Sequence, residues 1–153
     1  MASAQAIKRI SRELADIKAE GSTEFTARPR SDSDLLNWEV TIFGPNETPY
    51  QGGTFKLELV LPPQYPFQPP TLSFVTKIYH PNVLKDGTVC IPLLRTDQWK
   101  PACKLLTVID LAIALLREPN GDDAIEDSVA EVWKNNPVKY IATAKEWTKK
   151  YAR

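Results

Sequence analysis

The sequence predicts an α+β fold, on three observations. Apolar residues recur at helical spacing in the first twenty positions, alternate with polar residues through the middle of the chain, and return to helical spacing near the end. Helices placed before and after a run of strands, rather than between them, point to an antiparallel sheet with helices beside it.

The elements follow in order. Ile7, Ile10, Leu14 and Ile17 form one apolar stripe of a first helix that Gly21 ends. Lys8, Arg9 and Arg12 are spaced by three and four residues, which predicts a group of cations on its exposed side. Leu36, Trp38, Val40 and Ile42 then alternate until Gly44-Pro45; Phe55, Leu57, Leu59 and Leu61 alternate until Pro62-Pro63; Leu72 and Phe74 make a third short run. Short turns between such runs predict a meander with one face on the core. From Ile78 to Cys103 neither period is sustained, and an irregular segment of that length is usually functional or ordered by unusual contacts. Thr107 is placed to cap a helix through Arg117, ended by Glu118-Pro119-Asn120-Gly121, apolar all round and so expected to be buried. Asp127 to Asn135 reads as a short helix, and Asn136-Pro137 as the cap and first residue of a last helix with Tyr140, Ala144, Trp147 and Tyr151 on one stripe.

Composition narrows the function. The chain has 153 residues, which suits a single domain over 1–153. Lys+Arg and Asp+Glu are both 19, so there is no general basic field and nucleic acid is not an expected partner. No apolar run reaches the roughly 18 residues of a membrane span, and no signal-peptide pattern opens the sequence. The expectation is a monomer of cytoplasm and nucleus, with Cys90 and Cys103 as free thiols. Thirteen prolines are an unusual number, and eight lie between Pro45 and Pro81. They are interleaved with aromatic and aliphatic residues, as in LPPQYPFQPPTLSF, which reads as a stiff ordered connection. Tyr65-Pro66 is a candidate cis peptide there, and the proline neighbours of Phe67 favour its display to a partner.

The chemistry centres on Cys90, which leaves a turn at Asp86-Gly87 and is followed by Pro92. A cysteine hydrolase needs a base, and His80 is the only histidine. A transferase that exchanges one thioester for another needs less, because its leaving group is itself a thiolate. An ordinary thiol of pKa about 8.5 already holds a few per cent thiolate at neutral pH. Positioning and a donor for the oxyanion are the main requirements, and the amide of Asn82 is a candidate donor. Two Cys and one His do not fill a four-ligand zinc site, so no metal is expected. The glycines Gly52-Gly53 read as a turn rather than a phosphate-binding loop.

Five motifs in order carry a resemblance: Tyr65-Pro66-Phe67-Gln68-Pro69-Pro70, Ile78-Tyr79-His80-Pro81-Asn82, Gly87-Thr88-Val89-Cys90, Trp99-Lys100-Pro101-Ala102, and Glu146 to Tyr151. With them the chain resembles the ubiquitin-conjugating enzymes over nearly its whole length. The resemblance implies an N-terminal helix, a four-stranded antiparallel meander and three closing helices. It implies that Cys90 accepts ubiquitin as a thioester from a ubiquitin-activating enzyme, with ATP used upstream and no cofactor on this chain. Asn82 would stabilise the oxyanion or order the active-site loop, and His80 and Pro81 would be structural. Lys8, Arg9 and Arg12 would meet the activating enzyme; Phe67, Lys100, Pro101 and Ala102 would receive a ligase. Thr26 matches a position where some members bind a second ubiquitin, and Cys103 an apolar structural position near the ligase loop.

The acceptor is read from three positions. Members that transfer readily to lysine carry Asp two residues after the cysteine, where this chain has Pro92. Pro92 and Lys100 resemble the subgroup that passes ubiquitin to a cysteine of HECT or RBR ligases, whereas Asp123 matches the loop acid of lysine-reactive members. An attacking lysine must shed a proton and its hydration, which a nearby carboxylate assists; a thiolate needs neither. The rival readings are conjugation of a ubiquitin-like modifier, a noncatalytic ubiquitin-binding variant, which would lack Cys90, and a cysteine hydrolase.

Overall fold

The computed structural model describes residues 2–153. Helix α1 runs Ala4–Glu20; Ser3 caps it by accepting the Ala6 N–H at 3.1 Å, and Gly21 closes it at φ 61°. Four strands follow, β1 (Phe25–Ser31), β2 (Asp34–Phe43), β3 (Thr54–Val60) and β4 (Thr71–Phe74), antiparallel in the order β1-β2-β3-β4. The last three hold the alternating runs read in the sequence. Their buried residues face each other in register, Ile42 opposite Phe55, Val40 opposite Leu57 and Trp38 opposite Leu59.

Strand β1 was visible only through the resemblance. It buries a single residue, Phe25, and contains Pro29, which an edge strand tolerates because its N–H side faces no partner. Helix α2 (Leu105–Arg117) packs on the sheet through Leu105, Val108, Ile109, Ala112, Ile113 and Leu116. It is not buried all round, since Leu111 is exposed. Helices α3 (Asp127–Asn135) and α4 (Pro137–Tyr151) close the chain, and the Asn136 side chain accepts the Lys139 N–H at 3.2 Å as the cap of α4. Tyr50 and Tyr140 tie α4 to the core: their hydroxyls are 2.5 Å apart, and Tyr50 donates to the Tyr79 carbonyl at 2.6 Å. Tyr50 is buried beside Tyr140, and this pushes its phenol well above the ordinary range.

Two helix expectations need correction, and both corrections lead to one residue. On α1 the stripe is rotated: Ile7 is 43% exposed, while Glu13 is buried at 4%. On α2 Thr107 is not the cap; the cap position is Lys104, three residues earlier, and it makes no side-chain cap bond. Glu13 supplies it from α1, its Oε1 accepting the Leu105 N–H at 2.7 Å. Oε2 accepts the Tyr65 hydroxyl and, at 3.1 Å, Nε of Arg9. A carboxylate can be buried when its lone pairs are so filled.

Glu13→Ala would remove the partner of the Leu105 N–H, the Tyr65 hydroxyl and the Arg9 Nε–H. It is expected to lower the unfolding free energy by about 3 kcal/mol. Glu13→Gln, which still accepts hydrogen bonds, is expected to lose less. Urea titration of both variants measures the difference.

Candidate active site

Cys90 lies at the end of a tight hairpin that the sequence left irregular. Val83 and Val89 form a β-bridge, and Leu84 donates to Thr88 at 2.8 Å. Gly87 turns the chain with φ 96°, and a Cβ there would lie 2.1 Å from the Phe74 carbonyl oxygen, so the hairpin can sit against β4 only with glycine. Beyond Cys90, Pro92 opens a short 3₁₀ turn, Pro92–Leu94. Cys90 is half-buried and free.

The residues around it form a chain of hydrogen bonds. The Cys90 N–H donates to the Asn82 carbonyl at 3.0 Å. The Asn82 side chain, fully buried, reaches the loop before α3: Nδ2 donates to the Asn120 carbonyl at 2.8 Å and Oδ1 accepts the Asn120 N–H at 2.9 Å. The Asn120 side chain in turn donates to Oδ2 of Asp123 at 2.9 Å and accepts the Asp122 N–H at 3.0 Å. The carbonyl of Pro81 takes the N–H groups of Ile125 and Glu126, both at 3.0 Å. One residue, Asn82, therefore joins the cysteine's backbone, through its own carbonyl, to the loop that carries Asp123, through its side-chain amide. Asn120 is a site residue that the sequence reading passed over as part of a helix end.

His80 is fully buried beneath this assembly. Its Nδ1 accepts the Asn82 N–H at 3.0 Å, which places its proton on Nε2, 2.6 Å from the Leu115 carbonyl. Both ring nitrogens are thus engaged, with none directed at Cys90. Burial depresses its pKa to about 4.

The partner-facing residues divide. Phe67 is 72% exposed on the proline-rich loop, whose Tyr65–Pro66 bond is cis. Lys100, Pro101 and Ala102 are exposed in the neighbouring loop. Trp99 joins the two loops, its indole N–H donating to the Pro66 carbonyl at 2.8 Å. Thr26 is exposed on β1, and Cys103 is half-buried. Lys8 and Arg12 are exposed and, among the described residues, make no ion pair. Arg9 does not join them as a free cation. It is half-buried, paired with Glu13, and donates through Nη1 to the Pro101 carbonyl and through Nη2 to the Cys103 carbonyl, both at 2.8 Å.

His80 makes stability depend on pH. Between pH 6.5 and 4 the unfolded chain holds a proton on this residue that the folded chain rejects, so stability falls as pH falls through that window. Its contribution to the loss from pH 7 to pH 4 is about 3 kcal/mol. Denaturation at pH 7, 6 and 5 is expected to show the decline, and His80→Gln to flatten it.

Comparison with known proteins places this arrangement. Residues 9–148 match the family model for ubiquitin-conjugating enzymes. A crystal structure from Plasmodium yoelii, of a protein assigned as a ubiquitin-conjugating enzyme, is 37% identical with a TM-score of 0.90, over 99% of this chain and 98% of that one. A ubiquitin-conjugating enzyme domain from Toxoplasma gondii is 37% identical with a TM-score of 0.86, over 95% and 98%. The helix, four-stranded meander and closing helices are those of the same fold, and the chain belongs to the ubiquitin-conjugating enzyme family.

Proposed function

We propose that this chain accepts ubiquitin from a ubiquitin-activating enzyme as a thioester on Cys90 and passes it on, preferentially to a cysteine of a HECT or RBR ligase. The observation that carries the reading is the hydrogen-bonded path from the Cys90 backbone through Asn82 to Asn120 and Asp123. It fixes a free, half-buried thiol on a hairpin and holds a loop with a carboxylate beside the same buried amide. Family membership supports the modifier and the partners.

The steps balance simply. The Cys90 thiolate attacks the C-terminal carbonyl carbon of ubiquitin in its thioester with the activating enzyme. A new S–C bond forms, the old one breaks, and the departing thiolate takes up the proton that Cys90 released. In discharge the roles reverse: an acceptor thiolate forms the new bond and Cys90 leaves as thiolate. No metal or cofactor is required on this chain, since ATP is consumed upstream.

Asn82 acts mainly by ordering. Its carbonyl oxygen and one of its side-chain N–H groups are engaged by Asn120, so the amide is a clamp before any substrate arrives. His80 serves as the floor of the clamp, with Pro81 as its second anchor on the loop. Asp123 is held toward Asn120, and Pro92 places no carboxylate two residues after the nucleophile. With little help for deprotonating an amine, a thiol is the favoured acceptor. Lys8 and Arg12 are the free cations offered to the activating enzyme, and Phe67 with Lys100, Pro101 and Ala102 the surface offered to a ligase.

Incubation with activating enzyme, ATP and ubiquitin is expected to give a reductant-sensitive adduct of one ubiquitin by intact mass, absent in Cys90→Ala. Charging by a ubiquitin-like modifier and its own activating enzyme, with none by ubiquitin, would overturn the choice of modifier. The charged protein is expected to discharge onto free cysteine at least tenfold faster than onto free lysine; equal rates would remove the acceptor preference. Asn82→Ala is expected to slow discharge at least tenfold in a single-turnover chase.

A further inference from the structure

We infer that Arg9 is a positioning residue of the ligase-binding surface, and that the surface offered to the activating enzyme is carried by Lys8 and Arg12 without it. The inference rests on the functional reading above and reassigns one residue within it.

The helix geometry separates the three cations. Lys8 and Arg12 are four residues apart and share one row of α1, while Arg9 and Glu13 share the adjacent row, turned toward the protein. Three of the five N–H donors of Arg9 are committed: Nε to Glu13 at 3.1 Å, Nη1 to the Pro101 carbonyl and Nη2 to the Cys103 carbonyl, both at 2.8 Å. Its guanidinium carbon lies 5.9 Å from the centre of the Tyr65 ring. The two carbonyls it holds flank the exposed Ala102, so Arg9 sets the path of the 100–103 loop from beneath.

The second ligase loop is reached by the same group. Arg9, Ala6, Tyr65, Pro66 and Phe67 line a groove of about 200 Å³ between α1 and the proline-rich loop. Tyr65 donates to the carboxylate that pairs with Arg9, and Trp99 bridges from the other side to Pro66. Among the described residues, Arg9 is therefore the one side chain hydrogen-bonded to the 100–103 loop that also lines the floor beside Phe67. A lysine could keep the charge in this place but not the fork, because a single ammonium cannot hold Glu13 and two separate carbonyls in one plane.

The test compares Arg9→Lys and Arg9→Ala with Lys8→Ala. Three quantities are read: the concentration that half-saturates charging by the activating enzyme, the half-saturating concentration and kcat for transfer to a purified HECT ligase domain, and the amide-type NMR peak of the Trp99 indole N–H. Arg9→Lys is expected to raise the half-saturating ligase concentration about tenfold with less than twofold change in kcat, to disturb charging less, and to shift the Trp99 peak. Lys8→Ala is expected to weaken charging and leave the Trp99 peak in place. The inference is overturned if Arg9→Lys weakens charging as much as ligase transfer, or leaves the Trp99 peak unmoved. Arg9→Lys keeps the test open if Arg9→Ala fails to fold. Absence of any ubiquitin thioester on the unaltered protein would instead remove the functional reading, and the Trp99 peak would still report whether Arg9 holds the loop.

Discussion

A carboxylate buried where three segments meet sets the frame for the surface around Phe67 and Lys100. Glu13 points inward from α1 and takes hydrogen bonds from the start of α2, from the proline-rich loop and from Arg9. Without it a helix terminus and a phenol would lose their partner, and Arg9 its counter-charge. Burial and this carboxylate together push the Tyr65 phenol far above its ordinary range, so it remains a donor at any pH at which the fold survives. The helix α2 that Glu13 caps forms the centre of the core, and the two loops it ties are those that carry Phe67 and Lys100. The geometry of an outward-facing surface is thus decided by one inward-facing charge.

A second clamp does the corresponding work at the cysteine. Asn82 grips the backbone of Asn120 by both ends of its amide, and His80 grips Asn82 from below. The two clamps differ in kind. Glu13 is ionic and joins elements that are regular in themselves; Asn82 is neutral and orders segments that have no regular structure. Neutrality suits the place, because a fixed charge beside the Cys90 thiol would favour or oppose whichever charged group approaches it. The carboxylate of Asp123 is held through Asn120 rather than by the core.

Much of this was legible from the residues, where the signal was local. Asp127–Asn135 and the Asn136-Pro137 start of α4 followed from caps and period, and the exposure of Phe67 from its proline neighbours. The misses have long-range causes. The start of α2 was placed three residues late because its cap comes from a residue 92 positions away. Asn120 looked like a helix end because its partner is 38 positions away. Strand β1 gave no alternation, since only Phe25 is buried and Pro29 interrupts the pattern. Glu13 was the one miss that the period did announce: it falls three residues after Ile10 and four before Ile17, on the apolar stripe itself, where a charged residue had to be either an error of phase or a buried partner.

Phe67 shows what the proline frame implies for timing. Its N–H is bound to the Gln64 carbonyl at 2.8 Å, and the preceding carbonyl is bound to Trp99, so the ring is presented on a backbone that has no freedom left to lose. Ordering a mobile side chain on association costs about 0.5–1.5 kcal/mol, and ordering its loop adds to that. Here the share of the loop was settled when the chain folded. A partner docking on this ring has only the side chain itself left to order on this side. Its arrival is then governed by diffusion and its residence by the small area of one ring and its neighbours. Rapid exchange of partners on this ring follows.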